Sequence, residues 1–158
     1  VVYIITSNMP DMNDLETAIE MALDAHKGDT DKAGKTYIRH PLRLMEQMDT
    51  NEERIVAVLH DVVEDSEYQS EEIEEKFGQR ISDAVDVLTK PDKANVDYLD
   101  EYIPTVAENS IARKVKQADL KDNLDVTRLP ELSDHDCKNL KKYHQALQQL
   151  TAVDEERS

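Results

Sequence analysis

His60 and Asp61 stand side by side after the apolar run Ala57-Val58-Leu59, with Glu64 and Asp65 one helical turn further on. On a continuous helix, i,i+4 spacing sets His60 over Glu64 and Asp61 over Asp65, so four polar groups share adjoining faces of the most hydrophobic segment. A carboxylate taken out of water without a partner is costly, so a partner is required. Asp119 poses the same problem four residues after Val115 and next to Ala118, and His40 sits between Arg39 and Pro41 at a helix start. Together, His40, His60, Asp61 and Asp119 supply two imidazole nitrogens and two carboxylates, a set suited to one divalent cation. Mixed nitrogen and oxygen ligation favours Mn2+ or Fe2+ over Mg2+, with Zn2+ as a further alternative. Such an ion polarises a phosphoryl oxygen and lowers the pKa of a water, which Glu64 and Asp65 would orient or deprotonate.

Other candidates have plainer readings. His26 and His144 read as hydrogen-bonded core histidines, and His135 as a helix-start residue. The run from Glu71 to Lys76 reads as a solvated helix face. Asp29 to Gly34 opens like a calcium loop, but the twelfth position is His40 where a bidentate Glu is needed.

Helices must position these groups. The first is expected from an Asn13 cap with Glu16 completing a capping box, to Gly28, with Leu15, Ala18, Ile19, Ala22 and His26 as its stripe. A polar loop follows, and His40-Pro41 opens a short second helix, because proline suits the first helical position. The third begins at Thr50 with Glu53 in a capping box and is expected to run toward Glu64. Ile55, Val56, Val58, Leu59, Val62 and Val63 make it apolar nearly all round, the mark of a central buried helix. Ser70 to Phe77, closed by Gly78, is a fourth. A fifth carries Ile81, Ala84, Val85 and Leu88 and ends before Pro91. A sixth carries Tyr98, Leu99, Tyr102, Ile103 and Val106, kinked or restarted by Pro104. Ile111, Val115, Ala118 and Leu124 mark a seventh, and Cys137, Leu140, His144 and Leu147 a last one from near Ser133. No strand pattern appears beyond the first few residues, and the expectation is one all-α helical bundle over 13–158 behind an N-terminal extension, 1–12.

The 158 residues suit one domain, and 35 acidic against 19 basic residues give a net charge of −16. So acidic a surface argues against nucleic acid and membrane surfaces as partners. A single cysteine, Cys137, excludes an internal disulfide and a thiolate metal cage, and the opening VVYIITSNMP lacks the features of a signal peptide, so a cytoplasmic setting is expected. The charge is uneven. Residues 26–43 carry a local +3 and residues 111–128 a local +2, while 61–75 hold eight acids and no base. Two basic islands bracketing the His60-Asp61 helix would suit a phosphorylated small molecule.

The ordered strings AHKGDTDKAGKTYIRHPLRL, AVLHDVVEDS, KFG, VLTK and KQADLKDNL resemble the metal-dependent HD hydrolase domain of RelA/SpoT-type proteins and their stand-alone small alarmone hydrolases, over roughly residues 14–128. The resemblance implies an all-helical bundle that uses Mn2+ to hydrolyse the 3′-pyrophosphate of guanosine tetra- and pentaphosphate. By matching motif it makes His40, His60, Asp61 and Asp119 the metal ligands and assigns the attacking water to Glu64 and Asp65. It puts Asn123 on phosphate, together with Lys32 and the Thr89-Lys90 pair. The expected partner is a phosphorylated nucleotide, with self-association left open.

Three departures touch the specificity shell. Asp31 stands where the family usually has an arginine that steadies the nucleobase, Thr36 where proline is usual, and Leu120 where a basic residue is common. Tyr98 and Tyr102, in the acidic segment 91–104, offer stacking surfaces. Two other readings stand beside the alarmone hydrolase: an HD-superfamily phosphohydrolase of another nucleotide, and a non-catalytic nucleotide-binding helical protein.

Overall fold

The computed structural model describes residues 12–91 and 95–158, with Met12 and Asn13 described by backbone alone. The expected N-terminal extension therefore lies almost wholly outside the described residues, as does the Asn13 side chain, and the first helix starts one residue before the cap expected at Asn13. The first helix, α1 (Met12–Ala25), ends just before His26. Its buried face is Ala18, Met21 and Ala22, with Leu15 and Ile19 packed at its edge.

The loop between α1 and α2 (Arg39–Glu46) is tightly ordered by one side chain. Asp31 Oδ1 accepts from the Ala33 and Lys35 amides at 2.9 Å each, and Thr30 pairs with Thr36 in an isolated antiparallel bridge. Gly34 takes the positive φ of 73° that this reversal needs and that side chains resist. The turn fixes Tyr37 at the threshold of α2, which starts at Arg39, so that Pro41 stands third in its first turn where the opening position was expected.

The capping box is in place at the start of α3 (Asn51–Leu59): Thr50 accepts from the Glu53 amide and Glu53 reaches back to Thr50 N. Ile55 to Leu59 are all fully buried, and α3 packs against α1, α2, α6 and α8 as the hub of the bundle. Each large aliphatic side chain there contributes about 1.5–3 kcal/mol by leaving water.

The expectation that this helix continues to Glu64 is corrected. It breaks at His60-Asp61, where Asp61 has φ −109° and ψ 0°, and a single turn, α4 (Val62–Asp65), resumes beyond. Successive residues of an unbroken helix diverge by about 100°. The break instead brings His60 Nε2 within 3.0 Å of Asp61 Oδ2.

Next come α5 (Ser70–Phe77) and α6 (Gln79–Leu88), joined at Gly78, whose φ of 89° lets one helix stop and the next begin without a linker. Tyr98–Tyr102 forms a π-helical turn capped by Asp97 and leads directly into α7 (Ile103–Glu108). Pro104 lies in the first turn of α7, so it restarts the helix where a kink or a restart was expected. The Asn109 side chain caps α8 (Ser110–Leu124) through the Ala112 amide, and a 3-10 turn follows at Val126–Arg128.

A Ser133–Asp136 capping box opens α9 (Asp134–Arg157), which lies along α8 and α7. Its register differs from the expected stripe. Leu140 and Leu147 face inward as expected, but Cys137 and His144 are exposed, so His144 is not the core histidine it was read as. Asn139, Tyr143, Ala146 and Leu150 complete the inward face. One apolar face of a long amphipathic helix can be drawn in two adjacent registers from sequence, and packing against α8 selects one. No helix among the described residues is long and apolar enough to cross a membrane.

Candidate metal centre and cavity

The three elements expected to carry the ligands converge. His40 from α2, His60 from the α3–α4 break and Asp119 from α8 place one ligand atom each within 4.8 Å of one another, and all three are buried. Asp119 Oδ1 lies 3.1 Å from His40 Nε2 and 3.9 Å from His60 Nε2. Asp61 adjoins this trio through His60, and its Oδ2 also accepts from the Tyr37 hydroxyl.

The donor chemistry fits a divalent cation. His60 Nδ1 is 2.7 Å from the Ala57 carbonyl, so it carries the proton of the neutral ring and leaves Nε2 as a lone pair. That nitrogen is buried, faces carboxylate oxygens and has no hydrogen-bond partner. Against burial, Asp61 and Asp119 raise the His60 pKa, so a buried nitrogen facing two carboxylates calls for a positive charge between them, a proton or a cation. His40 is oriented from behind in the same manner: its Nδ1 lies 2.6 Å from Asp122 Oδ2.

Electrostatics reflect this crowding. Burial opposes the charged form of His40, yet hydrogen bonds to Asp119 and Asp122 raise its pKa to about 9. Burial likewise opposes ionisation of Asp61, but His60 beside it and the Tyr37 hydroxyl hold it at about 2. Asp119 is held well below the carboxylate range, against burial, by Lys116 and His40. Asp122 is lowered, also against burial, by Arg43 and His40. Partial burial, Asp61 and Glu64 push Asp65 up to about 6. His40, raised to about 9, would have to give up its Nε2 proton to ligate a divalent cation, so metal binding would be linked to proton release.

The cluster opens onto a cavity of about 310 Å³. Of the residues expected to touch substrate or water, Lys32, Glu64, Lys90 and Asn123 line it. Glu64 Oε1 accepts from the Lys90 amide at 2.9 Å, and Asn123 Nδ2 donates to Asp119 Oδ1 at 2.8 Å. Thr89 and Asp65 lie outside the wall. The Thr89 hydroxyl donates to the Val85 carbonyl, one turn back on α6. Asp31 is in the wall, and so are Tyr98, Tyr102 and Tyr143.

The two basic islands do not assemble as blocks. Lys114 turns away to Asp49 and Glu53, and Arg113 to Asp154. Arg43 and Arg128 converge on Asp122. The cavity wall takes Lys32, Arg43, Lys116 and Arg128 from the two islands and Lys90 from outside them, and Lys142 stands 5.0 Å from the ring of the wall residue Tyr98. Lys90 and Lys142 belong to neither island.

Tyr37, Asp122 and Lys116 were missed as site residues. The signal for two of them was present: Lys116, Asp119 and Asp122 recur every three residues, which places them along one side of α8. His26 is buried as expected but departs in its bonding. Its ring packs on Tyr37 at 4.6 Å between centroids, and neither ring nitrogen has a hydrogen-bond partner.

The HD domain family matches residues 18–122. A guanosine-3′,5′-bis(diphosphate) 3′-pyrophosphohydrolase of Haemophilus influenzae is 38% identical over 77 residues, covering 46% of this chain and 11% of the relative. A GTP pyrophosphokinase of Streptomyces coelicolor is 29% identical over 127 residues, 74% of this chain and 15% of that protein. The chain thus spans only a small part of the length of these relatives. Among solved structures, one described as a metazoan ortholog of SpoT that hydrolyses ppGpp superposes with a TM-score of 0.70 at 19% identity, over 96% of this chain and 99% of the other, and so shares the fold. The family match takes in His40, His60, Asp61 and Asp119 and extends over well more than half of the sequence, and on that ground this chain belongs to the HD domain family.

Proposed function

We propose that this protein is a Mn2+-dependent phosphohydrolase that removes pyrophosphate from the 3′ position of an alarmone-type nucleotide, working in the cytoplasm. The observation that carries the reading is the unpartnered, buried Nε2 of His60, set among His40, Asp61 and Asp119 at the floor of a cavity with a cationic wall. His40, His60 and Asp119 would hold the ion, with Asp61 as fourth ligand. The ion supplies charge to polarise a phosphoryl oxygen and to acidify a water.

The side chains divide the remaining work. Glu64, fixed by the Lys90 amide, faces the cavity where it can orient the water. Asp65, with its pKa near 6, is tuned to accept a proton near neutrality. Lys32 and Lys90 offer ammonium groups to phosphate oxygens, and Asn123 steadies Asp119 while facing the cavity. Thr89, outside the wall with its hydroxyl on the Val85 carbonyl, has no part in this set. The deciding assay is pyrophosphate release from ppGpp with Mn2+, compared between the wild-type protein and Asp61→Ala; no turnover with Mn2+, Fe2+ or Zn2+ would sink the proposal.

A second reading, a phosphohydrolase of a different nucleotide, is favoured by Asp31. Asp31 lines the cavity, and although its Oδ1 is spent on the Ala33 and Lys35 amides, its negative charge would disfavour a phosphate there and its Oδ2 would accept from a base amino group. A panel of purine and pyrimidine nucleotides carrying 3′-phosphates or 3′-pyrophosphates separates the two.

A further inference from the structure

Lys116 is a buried lysine with a single carboxylate partner. Only 9% of it is exposed, its Nζ is 2.8 Å from Asp119 Oδ2, and the rings of Tyr98 and Tyr102 face it at 5.9 and 5.5 Å. The other Asp119 oxygen, Oδ1, is the one turned toward His40 Nε2 and His60 Nε2. The two oxygens of one carboxylate are thus divided, one to an ammonium and one to the ligand cluster. Helical i,i+3 spacing along α8 imposes the division, and Asn123 one turn further on locks the carboxylate from the opposite side.

We infer that Lys116 is a positioning residue that makes Asp119 a one-oxygen ligand and thereby selects which cation is held, while its fixed positive charge lowers the affinity for all of them. This rests on the proposed metal centre. Two consequences follow from the chemistry. The ammonium competes for Oδ2, and so disfavours a clasp through both oxygens, the mode that large oxygen-loving cations such as Ca2+ exploit. The ammonium also repels every divalent cation about equally, so it lowers overall affinity without altering preference. Denticity and charge are therefore separable by substitution.

The test is calorimetric titration of the protein with Mn2+ and with Ca2+, with no nucleotide present. Lys116→Met removes donor and charge together, and the ratio of Ca2+ to Mn2+ affinity is expected to shift toward Ca2+ by about tenfold. Lys116→Gln keeps an N–H donor for Oδ2 and loses only the charge. It should bind both ions more tightly, with the wild-type ratio, and it guards against a Met variant that fails to fold. A wild-type ratio in Lys116→Met, or unchanged affinities in Lys116→Gln, overturns the inference. Failure of the wild-type protein to bind any divalent ion removes the metal centre itself, a result distinct from normal binding that ignores Lys116.

Discussion

Asp122 holds the back of His40: its Oδ2 is 2.6 Å from His40 Nδ1, while Nε2 on the far side of the ring faces Asp119. Asp122 is itself gripped by the Arg43 guanidinium through both oxygens, at 2.8 and 2.9 Å, and by Arg128. This carboxylate fixes both the tautomer and the direction of a ligand ring, the task outer partners perform at metal sites.

Replacing Asp122 with Asn should therefore weaken Mn2+ binding by about 10- to 100-fold, although Asp122 lies behind the imidazole. Calorimetric titration measures it. Chelation of the wild-type protein should lower its melting temperature, and added Mn2+ should restore it, because an ion that binds only the folded form stabilises it. Asp122→Asn should need more Mn2+ for the same recovery.

Asp65 should govern the acid limb of the pH–rate profile. Its pKa is raised from an ordinary 3.8 to about 6 by burial, Asp61 and Glu64, and a cation held by Asp61 would bring it down, so hydrolysis should rise with pH at or below that value. Asp65→Asn should lose about 10²–10⁴-fold in kcat. Stability has the opposite sign. A raised acid pKa means folding favours the protonated form, so that contribution is full below about pH 3.8 and lost as pH rises through about 6. Asp65→Asn should then melt higher than wild type at pH 8 and equal to it at pH 4, a comparison that scanning calorimetry makes directly.

Tyr37 donates to Asp61 from the ordered loop before α2. Tyr37→Phe keeps the ring stacked on His26 and removes only the hydroxyl. About 1 kcal/mol of stability should go with it, or roughly 2–4 °C in melting temperature for a chain of this size. A larger loss in kcat than in stability would place Tyr37 in the alignment of Asp61.

Lys32 and Lys90 line the cavity over the rings of Tyr143 and Tyr98. Changing either to Ala should raise KM about tenfold with kcat nearly intact, the pattern of a contact made equally in ground and transition states. Steady-state kinetics on the best nucleotide of the panel decides this.

Much of this molecule could be read from its residues in order. The capping boxes at Thr50–Glu53 and Ser133–Asp136, the stop at Gly78 and the restart at Pro104 are local signals, because each depends on atoms within a turn or two of one chain segment. The candidate ligands were legible for a related reason: His60, Asp61 and Asp119 are polar residues in segments otherwise built for burial, and that conflict is visible without coordinates. What sequence could not decide is how side chains far apart in the chain divide each other's atoms. The break at His60-Asp61 lets adjacent side chains face one site, against helical periodicity. The register of α9 brings Tyr143 inward and leaves His144 outside. Lys142 from α9 meets Lys90 from the end of α6 around Tyr98, although neither lies in a basic stretch. These are long-range packing outcomes, settled when α8 and α9 close on the hub helix α3 and its neighbours, and the tertiary structure alone shows Asp119 giving one oxygen to Lys116 and the other to the histidines.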